Sequence, residues 1–505
     1  MSRKTGIIIT EIKRITDVLR VRAETMGEAV AHDDTRRVLT FAQWDREADE
    51  IGGGLVAAGL VTGDRVFLPI SNANAVEMAV AVLAVLRAGG IVVPVNTRLS
   101  PQEVADYAAL IEPRFAITDQ AGQLDGVTLD AIWQTDAMPR DIAALPDQQA
   151  FDPAADAEIL GTSGTTGKIK GVVVTHPDLL GPVRTGLERD RSTSTLHALP
   201  FTGSGGNLGV LILPLRGAAT TFTQPRFDPA GFLKLVAEKR PMTVYLVPTM
   251  LRLILDHPDA ATTDFSSVRY LMTGTAPLPN DSVVRAMALW PNASIRNSYG
   301  MSEGGASIST RGKEVLKPGC VGKLPPHMQV RDDAGQVVAP MVVGEIYGLQ
   351  SNPRRYWRDD AATAQGFTGG WTKTGDLGFV DGDGDLIISG RSKELIIRGG
   401  YNITPIEIEN VLHDHPSVKD AAVLGVPHDV LGEDIAAAVS FRPGTTATPE
   451  ELETWCRDRL ANNKVPRTIL VLDELPVNAT GKVVKRDLRP QVEAAAGARR
   501  AAGSR

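Results

Sequence analysis

Between Leu160 and the apolar run Val172-Val173-Val174 the chain reads Thr162-Ser163-Gly164-Thr165-Thr166-Gly167-Lys168-Ile169-Lys170-Gly171-Val172, eleven residues that hold three glycines, four hydroxyls and two lysines. Glycine lets a backbone turn sharply and approach a ligand closely. Exposed N–H groups, hydroxyls and lysine ammoniums are what a triphosphate needs. A plain surface turn uses the same glycines and hydroxyls, but two lysines set among them between apolar flanks favour an anion-binding loop. It is not a Walker A loop, G-x-x-x-x-G-K-[ST]. Thr162 stands where the first glycine belongs, and Ile169 follows Gly167-Lys168. The spacing excludes a P-loop kinase or GTPase.

A chain of 505 residues is too long for one ordinary core, so two or more domains are expected. Apolar residues make up 43% and charged residues 22%, the balance of a soluble globular protein. The net charge of −7, with no long basic run, argues against nucleic acid as a partner. Cys320 and Cys456 are far apart and form no metal-type pair, as in a reducing compartment. Ile7-Ile8-Ile9 ends at Thr10-Glu11, too short for a signal-peptide core. The apolar stretch Ala75 to Leu86 falls short of the ~20 residues a membrane span needs and reads as a buried helix ended by Gly89-Gly90. A cytoplasmic protein without a membrane span, monomeric or homodimeric, is the expectation.

Strands and helices alternate through the first half: a strand from Arg65 to Ile70, a helix over 75–88, a strand from Ile91 to Val95, and later short strands at Thr243–Val247 and Val268–Met272. That order suggests parallel sheets covered by helices. From Gly344 onward glycine, aspartate and short strands become frequent, the texture of a small β-rich subdomain. Asp381-Gly382-Asp383-Gly384-Asp385 resembles a calcium loop only superficially, because Leu386 and Ser392 occupy the positions that need glycine and glutamate. It reads as a hairpin turn. After Lys393 a compact unit of strands (421–426, 436–441, 469–472) and helices (406–413, 449–460) reads as a small α+β domain. The expected division is an α/β N-terminal domain over 1–391, an α+β C-terminal domain over 392–490, and a disordered alanine- and arginine-rich tail over 491–505.

Further segments recur in a fixed order along the chain. They are Thr273-Gly274-Thr275-Ala276-Pro277-Leu278, Tyr299-Gly300-Met301-Ser302-Glu303, Trp371-Thr372-Lys373-Thr374-Gly375-Asp376, Gly390-Arg391-Ser392-Lys393-Glu394-Leu395-Ile396 and Asn478-Ala479-Thr480-Gly481-Lys482. Together with the loop at 162–172 they resemble, motif by motif, the adenylate-forming superfamily of acyl- and aryl-CoA synthetases, luciferases and peptide-synthetase adenylation domains. Each motif alone is weak, but six in order from 162 to 482 are specific. Arg355-Tyr356-Trp357 and Gly399-Gly400-Tyr401-Asn402-Ile403 also fall where family members have similar residues.

The resemblance implies a carboxylate attacking the α-phosphate of ATP to give an acyl-adenylate, then transfer of the acyl group to CoA, with Mg2+ as the metal. Both first reactants are anionic, so such a site must neutralise and align them. By resemblance, Thr162, Ser163, Gly164, Thr165, Thr166, Gly167 and Lys170 would cradle the phosphates. Gly274, Thr275 and Ala276 would lie beside the adenine, with the segment Ser298, Tyr299, Gly300, Met301 and Ser302 around it and Tyr299 stacked on the base. Glu303 would hold Mg2+, which needs few protein carboxylates when phosphate oxygens are present. Asp376 and Arg391 would meet the ribose. Lys482 would stabilise charge between carboxylate and α-phosphate, so that Lys482, Glu303 and Thr162 carry the catalytic roles. Phe201, Thr202, Gly203, Gly206 and Gly274 would line the acyl pocket, Lys393 would be the hinge, and Gly399 and Gly400 would approach the pantetheine in the CoA tunnel.

Two positions depart from the family pattern. Ile169 replaces the usual proline of the phosphate loop, and Gly203 stands where the family has a histidine between acyl pocket and thiol tunnel. The expected activity is ligation of a hydrophobic or aromatic carboxylic acid to CoA. Two other readings stay open at this point: an adenylating enzyme that passes the acyl group to a free-standing carrier protein, an amine or another nucleophile, and a non-catalytic nucleotide-binding descendant. The latter has no need of Lys482, Glu303, Asp376 and Arg391 together. No G-x-S-x-G is present to support an α/β-hydrolase, and no G-x-G-x-x-G in strand-to-helix context to support a dinucleotide fold. His413 and His415 are two apart at a helix end and do not share a face for a metal.

Overall fold

The computed structural model describes residues 12–163, 169–184, 186–187, 193–217, 219–477 and 483–503. Two large sheets dominate the first 360 residues. The seven-stranded sheet runs, edge to edge, through Arg355–Tyr356, Ile169–Thr175, Asp156–Ser163, Ile91–Pro94, Arg65–Leu68, Phe115–Thr118 and Ala131–Gln134. The eight-stranded sheet runs through Ser307–Ser309, Ser294–Gly300, Tyr270–Gly274, Thr243–Leu246, Ser194–His197, Thr220–Thr223, Val30–Asp33 and Val38–Thr40. Their central strands pair in parallel, and antiparallel pairing is confined to the margins. This is the parallel-rich α/β architecture the alternation of elements implies.

The helices Phe41–Ala57 and Ala75–Arg87 supply the core between the sheets. Every residue of Ala75–Arg87 is buried. A helix apolar all round can sit only inside a protein this way. Its single arginine, Arg87, is 1% exposed and answers both Asp45 (2.5 Å) and Asp49 (2.6 Å) of the other helix, so the buried charge is paired. Gly89, at φ +82°, ends the helix. The outer face of the eight-stranded sheet packs Leu196, Val244, Leu246, Leu271 and Ile295 under the helices Pro229–Lys239, Pro248–Leu255 and Asn280–Leu289.

A six-stranded antiparallel sheet follows, built mainly on Gly344–Leu349, Trp371–Val380 and Asp385–Arg391. The aspartate-rich stretch is the hairpin turn between the last two of these. Lys317 fills it, with Nζ at 2.6, 2.8 and 2.6 Å from Asp381, Asp383 and Asp385. A five-stranded sheet closes the chain, centred on Val418–His428 and Gly432–Phe441 and covered by Pro405–His413 and Pro449–Arg457.

The tail departs from expectation. Residues 491–503 are not disordered but continue the helix Lys485–Gly503. Leu488, Val492 and Ala496 recur every four residues, so they share one helical face. That face is buried against Ala422, Leu424, Ala436 and Ala438 of the five-stranded sheet. Burial of a stripe of this kind, rather than intrinsic propensity, is what holds most protein helices.

Candidate active site

The strand Ser294–Gly300 delivers Tyr299 to one edge of the eight-stranded sheet, and the antiparallel pair Trp371–Val380 and Asp385–Arg391 sets Asp376 opposite Arg391. The three side chains meet. Tyr299 donates its hydroxyl to Asp376 Oδ2 at 2.7 Å, and Arg391 Nε lies 3.0 Å from Asp376 Oδ1. Asp376 is 8% exposed, so its charge is held by two partners and not by water. Burial, and then the Asp376 carboxylate, push the Tyr299 hydroxyl well above the ordinary phenol range, which keeps it a donor. A carboxylate fixed this way can also accept from sugar hydroxyls.

Glu303 sits just past this strand. Its carboxylate accepts from the Tyr356 hydroxyl at 3.1 Å through Oε1, and its carbonyl accepts from Gln350 Nε2. Gly304 and Gly305 follow at φ +78° and +76°. A Cβ on Gly305 would lie 2.7 Å from the Gly348 carbonyl, and one on Gly304 would lie 3.1 Å from the Arg354 guanidinium. The loop that presents Glu303 therefore needs glycine twice, by conformation and by space. Arg354 pins it from below through the Ser302 carbonyl. Other than Tyr356, Glu303 has no side-chain partner among the described residues. A carboxylate with one oxygen unpaired among the described residues has the donor chemistry of a Mg2+ ligand.

On the opposite side, Asp156–Ser163 and Ile169–Thr175 form an antiparallel pair that places Thr162 across from Lys170. Thr162 Oγ1 lies 3.5 Å from the Lys170 carbonyl, and Lys170 Nζ lies 4.8 Å from the centre of the Tyr356 ring. Gly164, Thr165, Thr166, Gly167 and Lys482, and the side chain of Ser163, lie outside the described residues. Gly274 is forced by pairing: a Cβ there would lie 2.5 Å from the Ser298 carbonyl. Thr275 follows in the left-handed region at φ +69°, a conformation rarely kept by a threonine unless its surroundings fix it.

The acyl-pocket residues separate into two groups. Phe201 is buried in the core between the sheets. Gly206 closes a turn on Gly203, donating N–H to its carbonyl at 2.9 Å, and a side chain there would strike the Pro200 carbonyl. Thr202 is half-buried. Among the described residues a Cβ at Gly203 meets nothing within 4 Å, so they leave open space there. The apolar set beside this turn lies outside the sequence motifs: Leu199, Tyr245 and Val247, with Met250 and Met272 packed on them. The signal was available in the register, since Tyr245 pairs with Met272, two residues before Gly274.

Lys393 lies in the short turn Ser392–Glu394 that leaves the six-stranded sheet. Ser392 Oγ donates to the Gly375 carbonyl at 3.1 Å, and Lys485 Nζ lies 2.8 Å from both Glu394 and Glu409. Gly399 (φ +57°) and Gly400 (φ +84°) make the two-residue turn between Ile396–Arg398 and Tyr401–Ile403. Two left-handed residues in sequence give the hairpin turn whose twist matches its strands. The structure leaves both glycines exposed and does not bring them to the Tyr299 and Glu303 cluster.

The family model described as AMP-binding enzyme matches residues 19–352, and that of the AMP-binding enzyme C-terminal domain matches 407–482. The chain belongs to the AMP-binding enzyme family, and within it to the AMP-forming acid–CoA ligases, which use ATP, Mg2+ and CoA. A feruloyl-CoA synthase of Amycolatopsis sp is 34% identical over 94% of this chain and 97% of the relative. Among solved structures, ATP-bound MatB from Rhodopseudomonas palustris is 28% identical with a TM-score of 0.83, covering 95% of this chain and 99% of that one. The amide bond synthetase McbA from Marinactinospora thermotolerans is 27% identical with a TM-score of 0.84, covering 94% and 99%. Among the described residues no helix is long and apolar enough to cross a membrane.

Proposed function

We propose that this ligase takes a hydrophobic or aromatic carboxylic acid, with Tyr299, Asp376 and Arg391 holding the nucleoside, Thr162 and Lys170 the phosphates, and Glu303 the metal. Mg2+ would supply charge neutralisation at the phosphate oxygens. The observation that carries the substrate class is the apolar set Leu199, Tyr245, Val247, Met250 and Met272 beside Gly203 and Gly274, which offers no described cation to a second carboxylate. Lys482 belongs to this reading as the group opposite the developing charge. Residues 1–391 would form the adenylation body and residues 392 onward the mobile part, turning at Lys393 and presenting Gly399 and Gly400 to the thiol.

Pyrophosphate release across a panel of carboxylic acids, with and without CoA, tests the reading. Aromatic or medium-chain acids should give CoA-stimulated turnover with a thioester detected by mass spectrometry. Preference for a small dicarboxylate would overturn the substrate class. The space that the described residues leave at Gly203 favours one second reading, an acceptor other than free CoA such as a carrier-protein pantetheine or an amine. Gly203→His separates the two: it should narrow the range of acids and change the rate of thioester formation, and no change in either would deny the position a gating role.

A further inference from the structure

Tyr356 is held more firmly than a surface tyrosine needs to be. It pairs with Val172 across the edge of the seven-stranded sheet, two residues from Lys170 on that neighbouring strand and therefore on the same face as it. Its N–H donates to Thr363 Oγ1 at 3.0 Å, its ring leans on Phe367 with centroids 5.4 Å apart, and Gly366 leaves room beside it, where a Cβ would come to 3.4 Å of Cε2. The ring thus has a fixed place. Two opposite charges use it from different directions. Lys170 Nζ sits over the ring, 4.8 Å from its centre, and Glu303 Oε1 accepts from the hydroxyl at 3.1 Å.

Lys170 and Glu303 form no ion pair with each other or with any other described residue. That is the notable point, since an ammonium and a carboxylate that both reach one ring would gain by closing on each other. A tyrosine can satisfy both signs without letting them meet. Its π-face attracts a cation, and its hydroxyl donates to an anion.

We propose that Tyr356 is a positioning residue that keeps Lys170 and Glu303 from neutralising each other, so that the ligand-free site offers an ammonium to the phosphates and a carboxylate to Mg2+ together. The inference rests on the roles given above to Lys170 and Glu303. Removing the ring lets Lys170 fold onto Glu303, and ATP must then break that pair. Removing only the hydroxyl leaves the barrier in place but frees the carboxylate.

The test uses the full-length protein with Tyr356→Phe, Tyr356→Leu and Tyr356→Leu/Glu303→Gln, and thermal melts to establish folding. ATP binding is measured by calorimetry in EDTA, and pyrophosphate release is then followed against Mg2+ concentration. In EDTA, wild type and Tyr356→Phe should bind ATP alike, Tyr356→Leu about tenfold more weakly, and the double variant near wild type again. Tyr356→Phe should need several-fold more Mg2+ for half-maximal rate, with the KM for the acid unchanged. A merely structural tyrosine predicts no rescue by Glu303→Gln. Wild-type binding by Tyr356→Leu, or a double variant as weak as Tyr356→Leu with an unshifted melt, overturns the proposal. If Tyr356→Leu does not fold, an unchanged Mg2+ requirement in Tyr356→Phe overturns it alone. Lys170→Ala separates the levels: if it too leaves ATP binding intact, the phosphate role of Lys170 falls, whereas if it alone weakens binding, only the role of Tyr356 falls.

Discussion

Asp376 shows how much a single residue in this site depends on its partners. Its two oxygens are divided between the Tyr299 hydroxyl and the Arg391 guanidinium, and it has little contact with water. Replacing it with asparagine keeps the shape but removes the charge that aligns all three groups. Charge-assisted bonds are roughly twice as strong as neutral ones, so Asp376→Asn should weaken ATP binding about tenfold or more. Calorimetry should show this with a melting temperature close to wild type. A melt lowered as much as the binding would mean that the trio is structural. Asp376, Tyr299, Arg391 and Glu303 stand out in the sequence because each lies inside a motif that resembles those of the family, and the structure brings the first three together. What positions them does not stand out there. Tyr356 lies 53 residues beyond Glu303 and bonds to it only because a two-residue strand pairs at the sheet edge. The Gly304-Gly305 pair was visible in the sequence, but its need became clear only from the Gly348 carbonyl behind it.

At the scale of elements, local preference and packing disagree in two places, and packing prevails in both. The helix Phe41–Ala57 carries Gly52, Gly53 and Gly54 in its interior, where alanine would be favoured by about 1 kcal/mol each. The reason is a neighbouring segment. Pro139 to Leu145 lies directly on the helix backbone, anchored by the Asp141 N–H to the Glu50 carbonyl at 2.9 Å, and a Cβ on Gly53 would strike the Asp141 carbonyl. Gly53→Ala should therefore lower stability by about 1–3 kcal/mol in chemical denaturation, against the sign of helix propensity. Equal or greater stability would show that the segment shifts at no cost. The C-terminal helix is the second case. The alanine- and arginine-rich composition of 491–505 reads as a loose tail, and Pro490 and Gly497 disfavour a helix in isolation, yet Leu488, Val492 and Ala496 have a buried face to fill. The parallel sheets were readable because their strands are short apolar runs between turn signals, whereas docking of a helix end is decided by a surface far away in sequence.

At the scale of the whole molecule, the five-stranded sheet meets the rest of the chain along a charged seam. Arg252, on the helix Pro248–Leu255, bonds the Lys419 carbonyl and Asp420, and Arg442 lies 3.3 Å from Asp281, which also faces Arg285 at 3.8 Å. His413 sits in this seam. Burial, and then the Arg252 and Arg442 guanidiniums, push its pKa down to about 4, while Asp420 and the Lys419 carbonyl oppose them. The ordinary value is 6.5, so the docked arrangement favours the neutral imidazole. Above pH 6.5 neither arrangement binds the proton and docking is unaffected. Of the groups that lower the His413 pKa, Arg252 alone lies across the seam, so undocking relieves that part of the shift, and docking weakens as pH falls from 6.5 towards 4 and no further below it. The shift in the docking equilibrium is at most about a hundredfold between pH 6.5 and 4.5. Buried His32, His176 and His197, lowered to about 3, 4 and 4, add a loss of stability in the same window. Glu158, raised to about 8, runs the other way, its stabilisation fading as pH rises from 4.5 towards 8. These four are common to wild type and His413→Gln, so the difference between the two proteins isolates the seam. Protease cleavage near Lys393 should accelerate in the wild type from pH 7 to pH 5 and change much less in His413→Gln. Parallel curves would place the acid response in the buried cores and leave His413 no part in holding the two halves of the chain together.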